Sequence, residues 1–224
     1  MRNSDFEFER AKKGSAGNTD KLDNSLTRTK TEVFELAICN EWEYMVTLTL
    51  SPEKYDRYNL RLYVKALGKF LNNYNYQRST SIKYLLIPEE HEDGAWHMHG
   101  FFLGIPDNHL APFVAGVHPQ HLIDGDYRNW PAYAERFGFC SLSRIRDAER
   151  CAAYVTKYIT KHLRSTSVEL NYHMYYASHG LQRAVVLRKD RIARELLDAD
   201  FRNEYVAVKV LRDADEANSY FYDD

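Results

Sequence analysis

IKYLLIPEEHEDGAWHMHGFFL, residues 82–103, is the stretch on which the fold turns. Two runs rich in apolar and aromatic residues, Ile82–Glu89 and Trp96–Leu103, flank the turn signal Glu92-Asp93-Gly94, the pattern of an antiparallel hairpin. Alternate side chains of a strand share a face, so His97 and His99 point one way while Met98 points the other, into a core. Two imidazoles one strand step apart can hold a divalent cation and leave positions open for oxygen ligands. An HxH pair by itself is equally compatible with two ordinary polar histidines, and the facing strand is what sharpens the case. It carries Glu89 and Glu90. A two-residue Asp93-Gly94 turn sets Glu90 opposite His97, whereas a three-residue Glu92-Asp93-Gly94 loop with Gly94 left-handed sets Glu89 there. The second register also aligns Leu85 and Ile87 with Glu89, and Glu89 is the favoured third ligand. His91 is either a supporting partner or a solvated turn residue.

Working outward, EYMVTLTL (43–50) alternates as a strand and stops at Ser51-Pro52. Before it, Leu26, Val33, Phe34, Leu36, Ala37 and Ile38 give a helix over about 25–40 an apolar side, and Asn40 suits its end. Residues 1–24 are polar and aperiodic, as expected of a flexible N-terminal arm. After the strand, Leu62, Ala66, Leu67, Phe70 and Leu71 have helical spacing over Asn59 to about Tyr74. The stretch from Ile105 to Arg136 is rich in Pro, Gly, Asp and His and is expected to hold little regular structure. A strand over Phe137–Ser143, a helix over Asp147–Leu163, a strand near Tyr172–Tyr176, a turn at Gly180 and further elements to about Leu211 complete the reading. The last residues, 212–224, form an acidic tail.

The helix CAAYVTKYITKHL (151–163) carries the strongest chemical signal. At about 100° per residue, Tyr154, Lys157, Tyr158 and Lys161 fall in one stripe roughly 100° wide. Ala148, Ala152, Val155, Ile159 and Leu163 cover the neighbouring arc, the face expected to bury. A single YxxK is more simply explained by side chains that snorkel along a boundary; two overlapping copies downstream of an HxH strand point to chemistry. A phenol with its ordinary pKa of about 10 is a poor nucleophile near neutrality. A cation on a scissile phosphate and a nearby ammonium would both help it. A second tyrosine permits a second transesterification after the first has become covalently attached. No GxxxxGK[ST] phosphate loop occurs, so no NTP-driven motor is encoded here.

Net charge is −2, which argues against coating nucleic acid by bulk electrostatics. The basic residues nevertheless cluster, with Arg144, Arg146, Arg150, Lys157, Lys161 and Arg164 set against only Asp147 and Glu149 between positions 143 and 164. Candidate nucleic-acid contacts are accordingly Arg144, Arg146, Arg150, Lys157 and Lys161. Cys39, Cys140 and Cys151 are odd in number and widely spaced, and are expected to be reduced. No run approaches the roughly 20 apolar residues of a membrane span, and the polar start lacks a signal-peptide core; the expected location is cytoplasmic.

These residues resemble the HUH endonucleases, in which a hydrophobic residue separates two metal-binding histidines, here His97-Met98-His99. The doubled tyrosine motif is similar to that of the two-tyrosine initiators of rolling-circle replication from phages, plasmids and prophages. MVTLTLSP (45–52) resembles their first motif, IPEEHEDG (87–94) the lead-in to the second, and YYASHGL (175–181) a later one. The resemblance spans about residues 25 to 185, with motifs in the family's order.

The resemblance implies an α+β fold: a central antiparallel sheet of the ferredoxin-like, RRM-like kind, flanked by helices, with the tyrosine helix beside the metal site. It implies a domain over 25–211 that nicks and rejoins single-stranded DNA through a 5′-phosphotyrosine, leaving a free 3′-hydroxyl. Tyr154 and Tyr158 would be the nucleophiles, Lys157 and Lys161 their helpers, and His97, His99 and Glu89 the ligands of Mg²⁺ or Mn²⁺. Glu89 is favoured again because the family's glutamate stands about eight residues before the first histidine. Expected partners are single-stranded DNA or an origin hairpin, a host helicase and a DNA polymerase. The competing readings are a relaxase or single-strand transposase of the same chemistry, a small metal hydrolase without a covalent intermediate, and a non-catalytic nucleic-acid-binding module.

Overall fold

Seven short runs of β-forming residues assemble into one antiparallel sheet. The computed structural model describes residues 19–147, 150–155, 173–185, 199–202 and 207–209, with isolated positions at 196, 211, 216 and 219–221. The chain begins with helix α1 (Thr19–Ile38), then strand β1 (Tyr44–Thr49), helix α2 (Leu60–Arg78), and strands β2 (Lys83–Glu90) and β3 (Trp96–Leu103). Four short elements follow: β4 (Ala111–Pro112), α3 (Gln120–Asp124), β5 (Arg128–Asn129) and α4 (Pro131–Arg136). Strand β6 (Cys140–Arg144), helical residues 150–155 (α5) and strand β7 (Tyr176–Ala177) complete the part that builds the sheet. The strand order is β4-β5-β6-β1-β3-β2-β7, which makes β1 and β3 the centre. The fold is therefore α+β, an antiparallel sheet flanked by helices, as expected. Among the described residues no helix is long and apolar enough to cross a membrane.

Strand periodicity divides the interior into two cores, one on each face of the sheet. On one face Tyr44, Val46, Leu48, Leu86, Met98, Phe102, Cys140 and Leu142 pack with Leu60, Tyr63, Leu67 and Leu71 of α2 and with Tyr133 of α4. Asn59 caps α2, its side chain accepting from the Leu62 amide. On the other face Leu85, Ile87 and Phe101 pack with Val33, Phe34, Leu36 and Ala37 of α1 and with Ala152 and Val155 of α5. The thiols form no disulfides; Cys140 is buried in the first core.

Two expectations need correction. Helix α1 begins at Thr19, inside the stretch expected to be a flexible arm and ahead of the start expected near residue 25. Apolar periodicity marks only the turns that pack, whereas propagation adds a hydrogen bond for each further residue regardless of polarity. The stretch 105–136 is also more ordered than its composition suggested. It adds β4 and β5 to the sheet, and its end delivers Trp130 and Tyr133 which, with Phe137, are wholly buried. Their i, i+3, i+7 spacing, with Pro131 in the first helical turn, was the available signal. Lys54 Nζ donates to the carbonyls of Ala134 and Glu135, satisfying acceptors at the end of α4.

The hairpin has the three-residue loop. His91 N donates to Ala95 O at 2.9 Å, Gly94 N donates to His91 O at 2.8 Å, and Gly94 has φ +83°. Glu89 therefore stands opposite His97, and Glu90 opposite Trp96. One strand further along, Gly100 has φ +153°, and a Cβ there would lie 2.0 Å from the Leu85 carbonyl oxygen. Gly100→Ala is expected to destabilise the protein by about 3 kcal/mol or more, because the strained backbone and a backbone clash act together. Urea unfolding of the variant, compared with wild type, checks this; an unchanged midpoint would show that β2 and β3 separate at little cost.

Candidate functional site

The face of the sheet covered by α1 and α5 is also the face that carries the histidines. Two rows cross the central strands there. Thr49, His97 and Glu89 are successive partners from β1 to β3 to β2, and Thr47, His99 and Ile87 form the adjacent row. Each imidazole is held from β1: Thr49 Oγ1 lies 3.2 Å from His97 Nδ1, and Thr47 Oγ1 lies 3.2 Å from His99 Nδ1. Engaging Nδ1 fixes the ring plane and leaves Nε2 as the remaining ring donor, as partners of metal-binding histidines commonly do. The Nε2 atom of His99 meets Glu89 Oε2 at 2.6 Å. Glu89 is only 3 % exposed, so its carboxylate is held in the protein rather than in solvent.

His97 stacks on His91, ring centroids 4.0 Å apart. Burial first, then the neighbouring His91 and His99, push the His97 pKa down to about 4. It is neutral at physiological pH, the form able to donate a lone pair to a metal. Glu90 lies on the opposite side of its strand, where burial raises its carboxyl above the ordinary carboxylate range.

In chemistry this donor set suits a divalent cation: two imidazoles with anchored Nδ1 atoms and one buried carboxylate. In arrangement it is partly assembled. Glu89 and His99 converge at 2.6 Å, a direct ion-pair contact shorter than the roughly 3 Å between two donors that each lie about 2.1 Å from a shared ion. Among the described residues, no group of three or more His, Cys, Asp or Glu side chains is arranged to hold a metal.

Helix α5 begins at a cap in which Asp147 Oδ1 accepts from the Arg150 amide at 2.9 Å. Ala152 and Val155 are buried against Leu85, Ile87 and Phe101, so the helix lies on the histidine-bearing face. Tyr154 is 41 % exposed on that helix. Tyr158, Lys157 and Lys161 lie outside the described residues.

Of the candidate DNA contacts, Arg146 and Arg150 are exposed. Arg144 is differently engaged: both Asp107 oxygens accept from its guanidinium at 2.6 Å, and it lies 5.0 Å from the centroid of the Tyr44 ring. Strand alternation sets Arg144 with Cys140 and Leu142, on the face away from the histidines. Thr47 and Thr49 are the members of this cluster that sequence reasoning passed over as individuals. Their two-residue spacing in VTLTL, matching that of His97 and His99, was the signal.

Residues 43–163, more than half of the chain, match the family of replication-associated proteins of the ORF2 type. The matched stretch opens just before β1 and includes the histidine hairpin and α5. No curated protein and no solved structure matches the chain.

Proposed function

Because the chain belongs to this family of replication-associated proteins, we propose that it is an HUH-type, metal-dependent nicking and joining endonuclease with two nucleophilic tyrosines that starts and ends rolling-circle replication. The observation that carries this reading is the common face: His97, His99 and Glu89 project from the central strands on the side where α5, bearing Tyr154, packs. A bound divalent cation, Mg²⁺ or Mn²⁺, would supply Lewis-acid polarisation of the scissile phosphate.

The protein's own groups do the rest. The Tyr154 phenolic oxygen attacks phosphorus and loses its proton to solvent. The phosphorus–3′-oxygen bond breaks, the departing oxygen takes up a proton, and a 3′-hydroxyl is left for a host polymerase. One phosphodiester replaces another, so the bond energy is retained on the tyrosine and no nucleotide hydrolysis is required. Lys157 and Lys161 offset charge on the phosphate or phenolate, and Tyr158 carries the second strand transfer. Arg146 and Arg150 hold the single strand. Arg144, neutralised by Asp107, is left out of this path. Strand separation falls to a host helicase, in the cytoplasm of a bacterial host.

The decisive experiment is trapping labelled single-stranded origin DNA on the full chain with Mn²⁺. A denaturation-resistant adduct that disappears with chelator is the expected result. DNA binding without any adduct would overturn the enzyme reading in favour of a non-catalytic binding module.

A smaller effect tests the threonine support. Thr49→Val preserves shape but removes the hydroxyl from His97 Nδ1, and should weaken Mn²⁺ affinity about 10- to 100-fold with little loss of stability. Calorimetric titration measures it; unchanged affinity would make Thr49 a packing residue.

A further inference from the structure

The row Thr49–His97–Glu89 continues beyond β1 to an aromatic side chain. Thr49 N donates to Phe139 O at 2.9 Å, one step past the Leu48–Cys140 pair. Cys140 is buried on the far face, so alternation sets Phe139 on the same face as Thr49 and His97. With strands about 4.8 Å apart, Phe139 lies two strands, or about 10 Å, from His97. Its ring is 46 % exposed, yet it is not loose. It stacks on Phe113, centroids 5.8 Å apart and planes 26° from parallel. Phe113 is itself 7 % exposed and braced edge-on by His118 at 4.9 Å. A wet ring with a buried second ring behind it is a stacking surface of fixed orientation.

We infer that Phe139, backed by Phe113, stacks an unpaired base of the DNA strand beside the nicking site and sets the register of that strand over His97 and His99. This rests on the nicking reading for what passes over the histidines. An unpaired base suits the surface because every base has a π-face and Phe has no polar atom with which to read an edge; the contact is tolerant of sequence. Val114 and Val117, exposed nearby in the chain, widen the apolar patch.

The test uses the full chain without divalent metal, so that binding is separated from cleavage. Oligonucleotides carry 2-aminopurine at successive positions. Wild type is expected to quench one position strongly. Phe139→Ala should lose that quench and bind about ten-fold more weakly, with an unchanged salt slope, since no phosphate contact is removed. Phe139→Leu retains apolar contact with Phe113 and guards against a folding defect; it should also lose the quench, and Phe139→Trp should restore it. Wild-type quench and affinity in Phe139→Ala would overturn the inference and leave the nuclease reading standing. Quench at Phe139 in a protein that never nicks would do the reverse. Self-association that Phe139→Ala abolishes, with no quench in wild type, would make the patch a surface between copies and also overturn the inference.

Discussion

His97→Ala and His99→Ala are each expected to abolish adduct formation with single-stranded DNA while leaving the fold and most DNA affinity in place. Lewis-acid stabilisation of a phosphoryl transition state is worth several kcal/mol, so losing the cation should cost about a thousand-fold or more in rate. The neighbours of the two rings separate this effect from simple damage. Thr47 and Thr49 belong to β1, which retains its pairing with β6, and the main core lies on the other side of the sheet. Glu89→Ala should be nearly as severe, because Glu89 meets His99 at 2.6 Å and shares its row with His97. Glu90→Ala should cost far less, since Glu90 pairs with Trp96 and lies on the far side of the strand. Single-turnover nicking in Mn²⁺, with circular dichroism and filter binding alongside, measures all four variants. Full nicking by the double histidine variant in chelator would end the metal hypothesis, and a Glu90 variant weaker than the Glu89 variant would give Glu90 the ligand role.

The contrast between Glu89 and Glu90 shows what kind of information was legible beforehand. The period-two rule and a glycine suited to the left-handed region left two registers, and the alignment of Leu85 and Ile87 with Glu89 favoured the one observed. Local chemistry carried that inference because a hairpin is a local object. Trp130, Tyr133 and Phe137 were illegible for the opposite reason: the polar, Pro- and Gly-rich residues around them dominate the composition, and their burial depends on α2, some 60 residues earlier. Arg144 shows a third case. Counting basic residues along the chain set it beside the tyrosine helix, whereas strand parity sets it with Leu142, next to an acidic residue in a loop. Charge adjacency in sequence says nothing about which side of a sheet a side chain occupies.

Parity also bears on the nucleophiles. Ala152 and Val155 are buried against the histidine-bearing face while Tyr154 between them stays partly exposed, so α5 keeps one phenol at the margin of that face. Tyr158 follows four positions later. If both react, each single variant, Tyr154→Phe or Tyr158→Phe, retains covalent adduct with an origin oligonucleotide. Each also fails, or slows sharply, in the second strand transfer that releases a closed circle. The double variant should form no adduct at all while still binding DNA and Mn²⁺. That loss is complete because neither Lys157 nor Lys161 can replace a phenol in forming a stable phosphotyrosine, and water would give hydrolysis instead of a trapped product. The simpler alternative has one reactive tyrosine and one that only packs. It predicts that one single variant loses all adduct and the other loses none, with closed-circle formation unaffected in the second. Gel analysis of adducts from the three variants, with peptide mapping of the attachment site, distinguishes the two outcomes.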